Sequence, residues 1–433
     1  MLDRRRFLGV SSAALAATAC SPADADTSAD AVQDELPPSL AELQSMRAQA
    51  SPITTEERTV RLDRARQLMG RNGMDAMVLT GGTSLNYFTG MSWGLSERML
   101  AVVVPASGAA FVVCPAFERD RAMEQAAQGP MGGGTDVMTW EEHESPYALV
   151  ADGLRARGVA SGTIGIEETV RFVFSDGIAH AAPAMSLTSA TPVTAGCRGV
   201  KDAHEIALMR LASDVTLKAY TAAWKALREG MTQNDFAQLV SRAHQRLGFS
   251  GGAGVQTGEY SALPHGSITP QTIREGTILL IDGGCSVEGY RSDLSRTFVL
   301  GEPTQKMKDV FEIEYAAQSA ALAAAGPGIE CQAVDAAARK VITDAGYGPD
   351  YTYFTHRVGH GIGMDGHEWP YLVRGNTLAL APGMTFSDEP GIYIPGEFGI
   401  RLEDDMLITE SGAELLTPQS PSLEDPFGAP RMA

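Results

Sequence analysis

Four acids and a group of histidines in the second half of the chain have the types and spacing of a metal site. The apolar run Thr277-Ile278-Leu279-Leu280-Ile281 ends in Asp282; glycines follow at 283, 284 and 289, and Asp293 lies eleven positions after the first acid. A hairpin centred on Val287-Glu288 sets Asp282 and Asp293 opposite each other on neighbouring strands. Two carboxylates buried side by side repel unless a proton or a cation lies between them. Alone, the pair reads first as two exposed turn aspartates.

A second pair points the other way. Glu389 and Glu403 lie fourteen positions apart about Gly396, again a hairpin spacing. Between the pairs runs His356-Arg357-Val358-Gly359-His360-Gly361-Ile362-Gly363, followed by His367. Three of the chain's eight histidines fall within twelve positions, and the glycines beside His360 let a backbone pass close to a packed site. Each histidine by itself reads as structural; beside paired acids, at least one reads as a ligand. Four carboxylates and one imidazole form an oxygen-rich set suited to Mn²⁺, Fe²⁺, Co²⁺ or Zn²⁺. Five ligands are too many for one catalytic ion with an open position, and suit two ions about 3.5–4 Å apart. Water between two dications loses a proton far more readily than bulk water, so the chemistry implied is hydrolysis.

The elements that must position these residues fall into two units. From about Thr54, helical stretches (58–72, 117–127, 145–157) alternate with short apolar strands (75–80, 99–104, 110–114, 163–167), the pattern of an α/β domain over 54–197. Asp202 with Glu205, and Thr232 with Asp235, are capping-box signals that open helices near 206–227 and to about 247. β-rich segments with glycine turns follow, interrupted by a helical pair near 304–325 and 332–345, so a second domain of mixed α and β spans 198–417. Residues 418–433 read as an irregular tail.

Composition narrows the partners. Hydrophobic residues make up 44% and charged ones 20%, an ordinary globular balance, and the net charge is −19. A surface that acidic repels nucleic acid and anionic lipid, so neither is expected as a partner. Arg4-Arg5-Arg6-Phe7-Leu8, the uncharged run to Ala19 and the small residues Ala17-Thr18-Ala19 read as a twin-arginine export signal over 1–19. That reading places the mature chain in the periplasm, with Cys20 as a site for a lipid anchor. Residues 20–53 read as a disordered tether. The remaining cysteines, at 114, 197, 285 and 331, form no zinc pattern, and a disulfide among them is an open alternative.

Taken together, the segments resemble the pita-bread metallopeptidases, in particular the Xaa-Pro branch that contains aminopeptidase P and prolidase. The resemblance covers roughly Thr54 to Thr417. Asn86-Tyr87-Phe88-Thr89-Gly90 and Ile164-Gly165-Ile166-Glu167 are similar to the branch's creatinase-like N-terminal domain. Ala262-Leu263-Pro264-His265-Gly266, His356 to His367, Glu389-Pro390-Gly391 and Arg401 to Asp404 are similar to its catalytic domain. The resemblance implies a creatinase-like α/β domain followed by an α+β pita-bread domain. It implies that Asp282 chelates one ion, that Asp293 and Glu403 bridge, and that His360 and Glu389 hold the other, with Glu389 also moving a proton. His265 and His367 resemble contacts to substrate and transition state, His356 a residue near the proline subsite, and Arg401 a substrate-orienting arginine. The implied activity is hydrolysis of Xaa-Pro bonds in peptides or dipeptides, with two Mn²⁺ ions ahead of Zn²⁺, Co²⁺ or Fe²⁺, in a homodimer or homotetramer.

From the residues alone, Arg401 equally pairs with Glu403 or Asp404, and His356 is equally structural. Asp388 departs from the apolar residue of many relatives and sets another acid beside the metals. Rival readings are creatinase-like C–N hydrolysis, a metal-dependent lyase, and a non-catalytic binding module on the same fold. The first and last go with replaced ligands, and this chain keeps all five. Whether the leaving end must be a free carboxylate, which separates prolidase from aminopeptidase P, is not decided by these motifs.

Overall fold

A computed structural model describes residues 36–428. The export signal expected over 1–19, Cys20 and the first part of the tether lie outside the described residues.

The apolar runs of the first domain become strands β1 (Ala76–Thr80), β2 (Ala101–Pro105) and β3 (Phe111–Pro115), joined by β4 (Asp136–Trp140), β5 (Gly162–Ile166) and β6 (Met185–Ser189). They form one twisted sheet in the order β4-β3-β2-β1-β5-β6. Strand periodicity divides each central strand between two cores. Met77, Leu79, Val102 and Val104 face the helix Thr55–Arg71, while Val78, Ala101, Val103 and Phe111 face Val150, Leu154 and Ile178. Burial on both faces is why these runs are continuously apolar.

The helices Ala203–Ala226 and Gln233–Leu247 open with the two capping boxes, at Asp202/Glu205 and Thr232/Asp235. They pack on β7 (Ser250–Thr257) and β8 (Ile278–Val287), which continue through β9 (Tyr290–Arg291) and β10 (Leu294–Val299) in a sheet of order β10-β8-β7. The helices Gln305–Ala324 and Cys331–Asp344 pack on the remaining strands: β11 (Gly359–Gly361), β12 (Glu368–Leu372), β13 (Thr385–Asp388), β14 (Gly391–Ile394), β15 (Phe398–Arg401), β16 (Asp404–Ile408) and β17 (Ala413–Leu415). Their sheets run β12-β11-β13-β16-β17 and β14-β15. The domains are clasped by buried polar contacts. Arg61 donates to the Tyr290 hydroxyl at 2.8 Å and pairs with Glu205 at 3.4 Å.

The end of the expected tether is ordered, which corrects the boundary at Thr54. Leu40, Met46 and Ile53 are buried, Ser39 donates to the Ala222 carbonyl, and the Met46 N–H donates to the Leu247 carbonyl. The Ala/Asp/Ser/Pro composition of the preceding stretch masked these sparse apolar residues, and the segment around Leu40 and Met46 packs on the first helix pair of the catalytic domain. The tail is irregular as far as residue 428, yet it packs: Leu423 is buried and Phe427 lies against Trp224 and Phe298. The four described cysteines are free and buried, so no disulfide joins them.

His244 carries a pH-dependent share of stability. Its ring is fully buried, Nδ1–H donates to the Val240 carbonyl, and burial lowers its pKa to about 4. The unfolded chain takes up a proton below about pH 6.5 while the folded chain does not until about 4. The stabilisation is therefore complete above pH 6.5 and is lost as pH falls towards 4, by about 3 kcal/mol. In urea titrations, His244→Gln is expected to flatten the fall in midpoint over that window relative to the parent; an unchanged slope would contradict it.

Candidate active site

The first acid pair arises from a two-residue turn. Ser286 pairs with Arg291 and Val287 with Tyr290, so Glu288 and Gly289 form the turn, with φ of 50° and 90°. Positive φ at both positions is the mirror-image turn that matches strand twist. The ladder resumes with Leu294 opposite Gly283 and Ser295 opposite Asp282. The hairpin is thus centred one step later than expected: Asp282 faces Ser295, and Asp293 lies diagonally, two residues from Ser295 on the same face. Gly284 permits this corner, since a Cβ there would stand 1.9 Å from the Ser292 carbonyl oxygen.

The second pair follows the expected register. Thr385 to Asp388 pair with Leu407 to Asp404, and Gly391 to Ile394 pair with Arg401 to Phe398. Both ladders share one centre at Gly396, and Glu389 and Glu403 fall in the gap between them, opposite each other. Asp388, one residue earlier, points to the other face. It is fully buried towards Glu314 and Asp404, with no hydrogen-bond partner for either oxygen among the described residues. Strand alternation therefore removes Asp388 from the cluster, which corrects its expected place beside the metals.

β11 brings His360 between β12 and β13. Its Nδ1–H donates to the Gly361 carbonyl at 3.1 Å, which leaves Nε2 facing Glu389 Oε1 at 3.1 Å. His367 stacks on His360 with centroids 3.7 Å apart, and the Arg357 guanidinium lies 3.1 Å from its Nδ1. His356 has both nitrogens engaged, Nδ1–H with the Arg357 carbonyl and Nε2 with the Tyr393 hydroxyl, each at 2.8 Å. His265 is exposed at the mouth. Arg401 is 3% exposed and pairs with Asp282 at 2.7 Å rather than with Asp404; Glu403 lies 3.9 Å away. It also donates to the Ser295 hydroxyl, the Pro264 carbonyl and the Tyr393 hydroxyl.

All nine residues singled out in the sequence line one cavity of about 370 Å³, together with Pro264, Tyr351, Arg357 and Val373. Tyr393, Ser295 and Arg357 are the polar residues that the spacing argument passed over. The first two were within its reach: Tyr393 follows Glu389 at even spacing, and Ser295 follows Asp293 by two, so each shares the face of an acid.

The electrostatics are those of an excess of negative charge. Burial, and then the neighbouring acids, push Asp293 and Glu403 well above the ordinary carboxylate range. Burial also opposes charge on Glu389, but the His360 contact overrides it and holds Glu389 down to about 2, while the same contact raises His360. Burial lowers His356, which favours its neutral imidazole. Four carboxylates thus face one guanidinium and the imidazole Nε2 of His360. Ligand atoms of Asp282, Asp293 and Glu403 lie within 4.8 Å of one another, and so do those of His360, Glu389 and Glu403. Two triads sharing Glu403 fit two divalent cations, which would neutralise the surplus charge and free His360 to act as a neutral donor.

Comparison with known proteins agrees with this architecture. Residues 61–200 match the creatinase/prolidase N-terminal domain, and residues 207–410 match metallopeptidase family M24. The chain is 35% identical to an Xaa-Pro dipeptidase of Lactobacillus delbrueckii subsp. lactis, over 84% of this chain and 98% of that relative. It is 37% identical to a probable dipeptidase PepE of Mycobacterium tuberculosis, over 79% and 89% respectively. The crystal structure of dipeptidase PepE from Mycobacterium ulcerans superposes with a TM-score of 0.79 at 34% identity, covering 85% of this chain and 97% of that one.

Proposed function

We propose that this chain, which belongs to metallopeptidase family M24, hydrolyses the Xaa-Pro bond of dipeptides. The observation that carries the proposal is the pair of triads sharing Glu403, one of three carboxylates and one of two carboxylates with His360, set in one cavity beside cationic and imidazole donors. Two divalent ions held there would supply Lewis-acid polarisation of the scissile carbonyl and an acidified water.

The protein's own groups do the rest. Glu389 is placed to take a proton and return it to the leaving nitrogen, because its carboxylate lines the cavity beside the other acids of the cluster. His265 and His367 present imidazoles at the cavity wall for the developing oxyanion. Proline has no N–H, so its ring must be held by shape, and Tyr351, Val373 and His356 supply walls for it. Arg401 and the Tyr393 hydroxyl form a relay to His356, which keeps that imidazole oriented.

Arg357 favours a dipeptide over a longer peptide. It lines the cavity, lies over the Tyr371 ring at 4.1 Å, contacts His367 Nδ1 at 3.1 Å and has no carboxylate in ion-pair reach among the described residues, so its charge is available to a substrate carboxylate. Arg357→Ala is expected to raise KM for Xaa-Pro dipeptides about tenfold, near 1.4 kcal/mol, with little change for the same substrates ending in an amide. Equal effects on both would remove it from that role.

Mn²⁺ as the working ion rests on the oxygen-rich ligand set, and export to the periplasm on the twin-arginine pattern at 4–8. The decisive test is to strip the purified protein with chelator, restore Mn²⁺, Zn²⁺ or Co²⁺, and assay Xaa-Pro dipeptides against Xaa-Pro-Xaa tripeptides. Hydrolysis of dipeptides alone is expected. Cleavage of both indicates aminopeptidase P chemistry, and cleavage of neither overturns the proposal.

A further inference from the structure

Ser387 is fully buried on β13, two residues before Glu389 and on the same face. Its hydroxyl accepts the backbone N–H of His360 at 3.0 Å and donates to Glu389 Oε1, also at 3.0 Å. That carboxylate oxygen is the one facing His360 Nε2 at 3.1 Å. A single hydroxyl thus closes a ring through the backbone and side chain of one expected ligand and the side chain of another. The ring is tight because β11 is pressed onto β13: a Cβ on Gly359 would stand 2.0 Å from the Ser387 carbonyl oxygen.

The other half of the cluster has a different serine. Ser295, also fully buried, donates to Glu403 Oε2 at 2.5 Å, lies 3.2 Å from Asp282 Oδ1 and accepts from Arg401 Nε at 2.9 Å. Ser387 thus touches His360 and Glu389, whereas Ser295 touches Asp282 and the shared Glu403.

We propose that Ser387 is a positioning residue that sets the affinity of the ion held by His360 and Glu389, leaving the ion on the Asp282 side largely unaffected. The proposal rests on the two-metal reading above. Removing the hydroxyl leaves a buried His360 N–H without its acceptor and frees Glu389 to rotate, and lost outer partners of this kind cost about 10–100-fold in metal affinity.

The test is titration of the chelator-stripped protein with Co²⁺, followed by visible absorption and calorimetry, in the parent and in Ser387→Ala, Ser387→Thr and Ser387→Val. The parent is expected to take up two ions in two steps. Ser387→Ala should weaken one step by about 10–100-fold and leave the other within about twofold. Threonine should restore the weakened step and valine, of equal bulk, should not. The Thr/Val comparison therefore reads the hydroxyl even if the alanine variant unfolds. Equal binding by threonine and valine, or an equal loss at both steps, overturns the proposal. A parent that binds no ion overturns the two-metal reading itself, which is a different result.

Discussion

Exchange of Glu389 for glutamine is expected to lower kcat on an Xaa-Pro dipeptide about a thousandfold, within the range of 10²–10⁴ for loss of a positioned acid–base group. The side chain keeps its size, so the loss reports charge rather than packing. Glutamine cannot take the proton, and its neutral amide withdraws one of the four carboxylates that make the cluster attractive to cations. The change also removes the partner that His360 Nε2 faces at 3.1 Å. Metal content should be measured on the same sample by mass spectrometry, since one ion lost and two ions retained with no turnover point to different roles for the residue. Turnover above a tenth of the parent value would take Glu389 out of the site. Stripping the parent with chelator should abolish turnover, and added Mn²⁺ should restore it.

The largest effect on stability is expected at Arg296. Its side chain and that of Asp404 are both fully buried and meet at 2.7 Å. The guanidinium also donates to the backbone oxygens of Ser295, Glu403 and Pro418. Arg296→Met fills much of the volume but leaves Asp404 without its cation, and breaking a buried pair in this way costs about 3–5 kcal/mol. Burial already raises Asp404 against the opposing pull of Arg296, so in the variant the acid can escape the penalty only by taking up a proton. Because that proton is held only in the folded state, the destabilisation should be smaller at pH 5 than at pH 8. Urea midpoints at the two pH values measure it. A loss below about 1 kcal/mol at pH 8 would mean that the pair is dispensable.

Much of the architecture was legible in local signals. Both capping boxes open the helices expected of them, because the box is a contact between residues three apart and needs no tertiary partner. The Glu389/Glu403 register was correct to the residue, since Gly396 marks the turn by its own backbone freedom. The Asp282/Asp293 hairpin was misplaced by one step because Glu288 turns with a left-handed backbone, and nothing in a glutamate announces that. The boundary at Thr54 failed for another reason. Leu40, Met46 and Ile53 are too sparse to signal an element, and the contacts that order Leu40 and Met46 come from helices far later in the chain.

The sequence by itself determined which candidate donors are present, because donor chemistry is a property of residue type and a strand's two-residue period decides which side chains share a face. The tertiary structure alone decided which of those groups stand within a few ångströms of each other and what charge they carry. Asp282, Asp293, His360, Glu389 and Glu403 come from separate strands and from gaps between ladders. Repulsion and desolvation grow steeply with proximity and burial, and neither can be read before the sheets are packed. The same packing turned Asp388 into the core and set Ser387 between His360 and Glu389.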